Sequence, residues 1–127
     1  MPKTAAELVS DAKASIENLT PDQVAHEMSS GSPLIVDLRE PEERAKTGTI
    51  PGAVIAPRGM LEFYADPSSS YHRAEFDPQQ RTILYCAGGG RSALAAQSLK
   101  QLGYTNVAHL DGGMTAWAAS GRDVSRD

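Results

Sequence analysis

The chain has a single cysteine, Cys86, at the head of the run Cys86-Ala87-Gly88-Gly89-Gly90-Arg91-Ser92. Consecutive glycines let backbone N–H groups turn toward one point and form a concave anion nest. Arg91 brings a fixed positive charge to the same loop. A helix starting just after the loop adds the positive end of its dipole. Each neighbour favours the thiolate, the nucleophilic form of cysteine. The spacing therefore predicts a reactive thiolate in an anion-binding cradle. A lone cysteine is more often a small buried hydrophobe, and a glycine run is more often a plain turn. Their order along the chain is what favours chemistry here.

The elements that must position this loop are readable on either side of it. Thr82-Ile83-Leu84-Tyr85 is β-branched and apolar and reads as a buried strand. Ala93 to Leu102 is rich in Ala, Leu and Gln and reads as a helix closed by Gly103, with Ser92 as its N-cap. Cys86 then sits at the carboxyl end of a strand, where open α/β sheets bind ligands. A second strand, Pro33 to Leu38, carries the continuous apolar run Leu34-Ile35-Val36. Such a run fits a strand buried on both faces of a parallel sheet. It ends in Asp37, Arg39 and Glu40, which parallel pairing would bring to the edge that holds Cys86. Arg58 follows a short strand, Ala53 to Ala56, and reaches the same edge.

The other segments read as support. Thr4 to Ile16 has the apolar spacing of a short amphipathic helix, and Ile16 to Leu19 suits an edge strand. Thr20-Pro21-Asp22-Gln23 is a helix start, with Thr20 as N-cap, Pro21 at the first helical position and Gln23 completing a capping box. Pro41 to Arg44 and Met60 to Ala65 read as helical turns, and Asp66 to Pro78 as a long polar surface loop. Val107 to Leu110 is a last core strand. A turn at Asp111-Gly112-Gly113 leads to a helix over Met114 to Ala119, in which Trp117 packs on the core. Asp123 to Asp127 reads as a frayed tail.

Composition narrows the class. A chain of 127 residues suits one domain. A net charge of −4 argues against non-specific nucleic-acid binding. The chain has no apolar run of membrane-spanning length, and Met1 to Ser15 lacks a signal-peptide core, so a cytoplasmic protein without a membrane partner is expected. One cysteine excludes an internal disulfide, a resolving cysteine and cysteine-type zinc sites. His26, His72 and His109 show no metal-ligand spacing, and neither a metal nor a cofactor is expected.

Four segments, in order, resemble the rhodanese-like (sulfurtransferase) family: Leu34-Ile35-Val36-Asp37-Leu38-Arg39-Glu40-Pro41-Glu42-Glu43, Ile50-Pro51-Gly52-Ala53, Tyr85-Cys86-Ala87-Gly88-Gly89-Gly90-Arg91-Ser92-Ala93, and Leu110-Asp111-Gly112-Gly113-Met114-Thr115-Ala116-Trp117. Pro57 to Phe63 also looks like a segment of some single-domain bacterial members. The resemblance covers about Leu19 to Val124, and a domain is expected over residues 17–124, with a helical extension over 1–16 and a tail over 125–127. It implies an α/β fold, with a central, mostly parallel five-stranded sheet flanked by helices on both faces. It implies a thiosulfate:cyanide-type sulfurtransferase. Cys86 would accept a sulfane sulfur from thiosulfate or a persulfide and pass it to cyanide or a thiol, with a persulfide-carrying protein as a further candidate donor. Many members have histidine where this chain has Thr49, so a hydrogen bond in the following turn is expected to be missing.

The residues supply roles beside the resemblance. Cys86 is the activated nucleophile. The amides of Ala87, Gly88, Gly89, Gly90, Arg91 and Ser92 would stabilise the outer sulfur of a persulfide and an anionic donor. Arg91 either binds a sulfonate-like oxyanion or pairs with Asp37 or Glu40 and braces the loop. Arg58 is a second candidate for donor binding. Arg39 is expected to pair with a nearby Glu. The uncharged loop side chains predict weak thiosulfate affinity. Two rivals remain: a cysteine phosphatase or arsenate reductase, and a non-catalytic binding or regulatory module. Four residues separate Cys86 from Arg91. A phosphatase-type loop is one residue longer, to cradle a larger tetrahedral group.

Overall fold

The structure, a computed structural model, describes residues 1–126. Among them, strands β1 (Glu17–Leu19), β2 (Leu34–Asp37), β3 (Val54–Ile55), β4 (Thr82–Tyr85) and β5 (Val107–Leu110) form one sheet in the order β1-β5-β4-β2-β3. All neighbours pair in parallel, as the apolar runs predicted. Asp37 lies opposite Tyr85, so β2 and β4 end level, and the chain leaves both at the edge where Cys86 begins.

Helices α1 (Ala5–Ala14), α2 (Pro21–Ser30), α3 (Pro41–Thr47), α4 (Leu61–Ala65), α5 (Gly90–Gln101) and α6 (Gly113–Ala119) surround the sheet. Side chains alternate across each strand, so the sheet feeds two cores. On one face Val36, Leu84 and Val107 pack with Leu61 of α4 and Ala95, Ala96 and Leu99 of α5. On the other, Ile35, Ile83, Tyr85 and Leu110 pack with Val24 of α2 and Trp117 of α6. Burial on both faces explains why all four residues of β4 and of β5 are buried. The capping box at Thr20 is present: Gln23 N–H donates to Thr20 Oγ1 at 3.2 Å, and Thr20 N–H to Gln23 Oε1 at 2.8 Å. The N-terminal helix α1 lies against α5 and buries Ala12, so it is part of the same packed body.

Three expectations need correction or refinement. Helix α5 begins at Gly90, not Ala93, and its N-cap is Gly89, not Ser92. Gly89 has φ +104°, which glycine adopts without steric cost, so the glycine run itself turns the chain into the helix. Ser92 therefore lies in the first helical turn, facing back toward Cys86. The segment expected to fray is tied down as far as Ser125: Thr49 N–H donates to Ser125 O at 2.8 Å, and Ser125 N–H to Thr49 O at 2.7 Å. These backbone bonds hold the turn at Thr49 without a side-chain donor there. Asp127 lies outside the described residues. The loop over residues 66–78 carries turns and no helix or strand, and is anchored by Phe76, 1 % exposed. No helix among the described residues is long and apolar enough to cross a membrane.

Candidate active site

Strand β4 delivers Cys86 to the sheet's carboxyl edge, where the glycine loop folds over it. The residue is 1 % exposed. Its Sγ accepts the backbone N–H of Gly89 at 3.2 Å and of Ser92 at 3.4 Å. Of the six amides proposed for the nest, these two reach the sulfur itself. Ser92 Oγ lies 3.6 Å from Sγ. The unsatisfied amides of a helix's first turn carry its positive dipole end, so α5 directs positive potential at the sulfur. The back of the loop is held by α6, the helix expected over Met114 to Ala119, whose contact with the loop the sequence did not show. Met114 N–H donates to Cys86 O at 2.8 Å, and Thr115 N–H to Ala87 O at 3.1 Å. These bonds turn the loop carbonyls away from the sulfur and leave its amides facing inward.

The charged residues at this edge divide into two groups. Asp37 and Arg39 are fully buried and pair with each other, rather than Arg39 with a glutamate. Arg39 Nε and Nη2 donate to Asp37 Oδ1 and Oδ2 at 3.0 and 2.9 Å. Arg39 also donates to Thr47 Oγ1 and Gly48 O, at 2.7 and 2.6 Å. Tyr85 OH donates to Asp37 Oδ2 at 2.8 Å and accepts Ile50 N–H at 3.0 Å. Burial, with Asp37 beside it, pushes the Tyr85 hydroxyl pKa well up, so it stays a donor. This network pins the segment 47–50 and does not touch the sulfur.

Arg91 belongs to the second group. It braces, as one of its two readings held, but its partner is Glu43 rather than Asp37 or Glu40. Arg91 Nη1 and Nη2 donate to Glu43 Oε1 and Oε2 at 2.9 and 2.8 Å, a bidentate pair. Glu40 contributes through its backbone, its N–H donating to Glu43 Oε1 at 3.0 Å. The Arg91 hydrogen bonds hold the Glu43 carboxyl at about 2, well below its ordinary 4.5. Glu43 in turn holds the guanidinium firmly charged against a smaller desolvation effect, and the Cys86 sulfur adds to this. A carboxylate whose folded pKa is depressed contributes stability that is complete above its unfolded value and lost as pH falls through the folded one. The brace is therefore expected to be intact above pH 4.5 and lost as pH approaches 2. Thermal melts across that window should show the native protein losing more stability than Glu43→Gln, by a modest margin because both side chains are about one-third exposed. Parallel pH curves for the two proteins would contradict this.

Arg58 stands apart from the loop. Its guanidinium pairs with Glu62 at 2.9 Å and approaches Ser98 Oγ at 3.5 Å. Ser98 is more than two turns along α5 from Gly90, roughly 12 Å by helix rise. Arg58 is thus engaged away from the sulfur. One residue that the sequence reading left unused reaches the site through Ser92. His109 is fully buried, with Nδ1 2.8 Å from Ser92 Oγ and Nε2 2.7 Å from Asn18 Oδ1. Its signal was the strand period: Val107 and His109 share the face that α5 covers.

A family model, the rhodanese-like domain, matches residues 20–120. The chain belongs to the rhodanese-like domain family. It is 35% identical over 91 residues to a sulfurtransferase of Allochromatium vinosum, an alignment covering 72% of this chain and 77% of that protein. It is also 35% identical over 102 residues to the probable adenylyltransferase/sulfurtransferase MoeZ of Mycobacterium tuberculosis. That match covers 79% of this chain but only 24% of MoeZ, so the chain spans about a quarter of that relative. Among solved structures, a Rhodopseudomonas palustris protein of unknown function, described as a possible tyrosine phosphatase, superposes with TM-score 0.89 at 39% identity, covering 98% of this chain and 99% of that one.

Beside the cysteine loop of this rhodanese-like domain opens a small cleft of about 180 Å³. Ala87, Glu43, Lys46, Thr47 and Met114 contribute to its walls. Cys86 itself is almost wholly covered.

Proposed function

We propose that the protein is a sulfurtransferase that moves a sulfane sulfur from thiosulfate or a persulfide to cyanide or a thiol through a Cys86 persulfide. The observation that carries this reading is the pair of loop amides, Gly89 and Ser92, aimed at a single buried sulfur. The Cys86 thiolate attacks the outer sulfur of the donor. A new S–S bond forms, the donor's S–S bond breaks, and its electron pair leaves with sulfite or the donor thiolate. The acceptor then attacks the outer sulfur of the persulfide, and the Cys86 thiolate leaves. Negative charge stays over the same amides and the α5 N-terminus throughout, which is preorganised electrostatic stabilisation. No step requires a cofactor.

The donor is weakly specified. The loop side chains are uncharged, and Arg91 is already engaged by Glu43. Thiosulfate is therefore expected to bind weakly, with a KM far above the low micromolar range. Small-molecule or protein persulfides suit the site equally well. A free nucleophilic thiol suits a reducing compartment, so the cytoplasm is the proposed location.

Intact mass after thiosulfate treatment should show one added sulfur atom on the native protein, and cyanide should remove it as thiocyanate. Cys86→Ser should show neither, with turnover down about a thousandfold or more. A native protein that takes up no sulfur from thiosulfate or from a persulfide would favour a binding module. A phosphatase reading has one observation behind it, the description of the R. palustris neighbour. The four-residue spacing and the Glu43-engaged Arg91 oppose it. Hydrolysis of an aryl phosphate that is lost in Cys86→Ser would reverse the choice.

A further inference from the structure

We infer that His109 takes the proton of Cys86 through the Ser92 hydroxyl. The inference rests on Cys86 being the nucleophile of the proposed sulfur transfer. It starts from Asn18, on the edge strand β1. The side-chain amide nitrogen of Asn18 donates to Lys13 O at 2.9 Å and to Ile16 O at 3.1 Å. Two carbonyls on one side fix the amide orientation, since only the NH₂ group can donate to them. Oδ1 must then be the atom that meets His109 Nε2 at 2.7 Å. An oxygen there accepts, so Nε2 carries the proton.

In a neutral imidazole the other nitrogen is then an acceptor. Nδ1 accepts from Ser92 Oγ–H at 2.8 Å. The hydroxyl has only one proton, so its lone pairs face Cys86 Sγ at 3.6 Å and accept the thiol S–H. Every donor thus points the same way, from Cys86 through Ser92 and His109 to Asn18. The thiol's S–H bond breaks as an Oγ–H bond forms, and the Ser92 proton passes to Nδ1. Net, one proton moves from sulfur to nitrogen, and no oxidant or further reactant is involved. The chain then runs in reverse at its inner end: His109 donates to Ser92, and Ser92 donates to the thiolate.

The surroundings fit this use. Burial pushes the His109 pKa below its ordinary value, so at neutral pH the ring is uncharged and Nδ1 is free to accept. Asp111 raises it and Lys13 lowers it by smaller effects, and those two groups pair with each other at 2.6 Å. Glu17 of β1, beside Ala108 in the sheet, is engaged by Arg81 at 2.9 Å. Arg91 acts on the sulfur and is held by Glu43. The charge that can stabilise a buried imidazolium is therefore the thiolate it creates. His109 is a positioning residue, since it reaches the sulfur only through Ser92.

Two measurements test this without any sulfur donor, so they stand whether or not the protein transfers sulfur. Long-range ¹H–¹⁵N spectra of the unaltered protein at neutral pH should show His109 as the neutral Nε2–H tautomer. The Nδ1–H tautomer would overturn the relay. The second is the rate of Cys86 alkylation by iodoacetamide against pH. Coupled titration of thiol and imidazole should give the native protein a two-step profile. His109→Asn and Ser92→Ala should collapse it to one step and slow alkylation at neutral pH about tenfold. Ser92→Thr, which keeps the hydroxyl, should retain the two steps. A profile in folded His109→Asn identical to the native one would reject the inference.

Discussion

Asp37→Ala is expected to lower stability by about 3–5 kcal/mol, the usual effect of removing one partner of a buried ion pair. Arg39 is 1 % exposed, and Asp37 accepts its backbone N–H, its Nε and its Nη2. Without Asp37 the guanidinium keeps hydrogen bonds only to Thr47 Oγ1 and Gly48 O, which carry no countercharge, and its place over the Tyr85 ring. The Tyr85 hydroxyl loses its acceptor in the same step. The melting temperature should fall by roughly 10 °C or more. A double variant, Asp37→Leu with Arg39→Met, separates the charge from the packing. It removes both ions and should be more stable than Asp37→Ala alone. Urea unfolding of the three proteins decides the matter. A loss below about 1 kcal/mol in Asp37→Ala, within the range of surface pairs, would show that the network is dispensable.

This pair also shows what the sequence could and could not carry. The order of strand, cysteine, glycines and helix was legible because each piece is local: an apolar run, a turn residue, a helical composition. Thr20, Pro21 and Gln23 were legible for the same reason, since a capping box spans four positions. Partners far apart in sequence were not. Arg91 meets Glu43 across 48 residues, and His109 meets Asn18 across 91. Nothing in local propensity selects Glu43 over Glu40 as the partner of Arg91. That choice depends on α3 turning its first-turn carboxylate toward α5. Ser92 was misassigned by a local rule that usually holds, the preference of serine for N-caps. A run of glycines can supply the cap with a left-handed residue instead, and this frees the serine hydroxyl for the sulfur. Arg39 was given a glutamate because several lie close in sequence, but Asp37 lies two positions back in the same buried turn.

Gly113→Ala should disable the site more than alanine at any other glycine. Gly113 has φ +58°, and a Cβ there would lie 2.4 Å from Cys86 O and 2.6 Å from Ala87 O. Both are backbone atoms of the cysteine loop and have no rotamer by which to move aside. Relief requires α6 and the loop to separate, which breaks the bonds from Met114 N–H and Thr115 N–H to those same carbonyls. The loop amides then lose their aim at the sulfur. A misplacement of about 1 Å in such a site costs roughly a hundredfold in rate, and the strain costs about 1–3 kcal/mol in stability. Gly121→Ala supplies the control. Its φ is +79°, but nothing lies within 4 Å of the added carbon. It carries the backbone strain without the collision, so it should lower the melting temperature and leave Cys86 alkylation and sulfur uptake unchanged. Equal loss of activity in both variants would mean that backbone strain alone, rather than the contact between α6 and the loop, accounts for the effect.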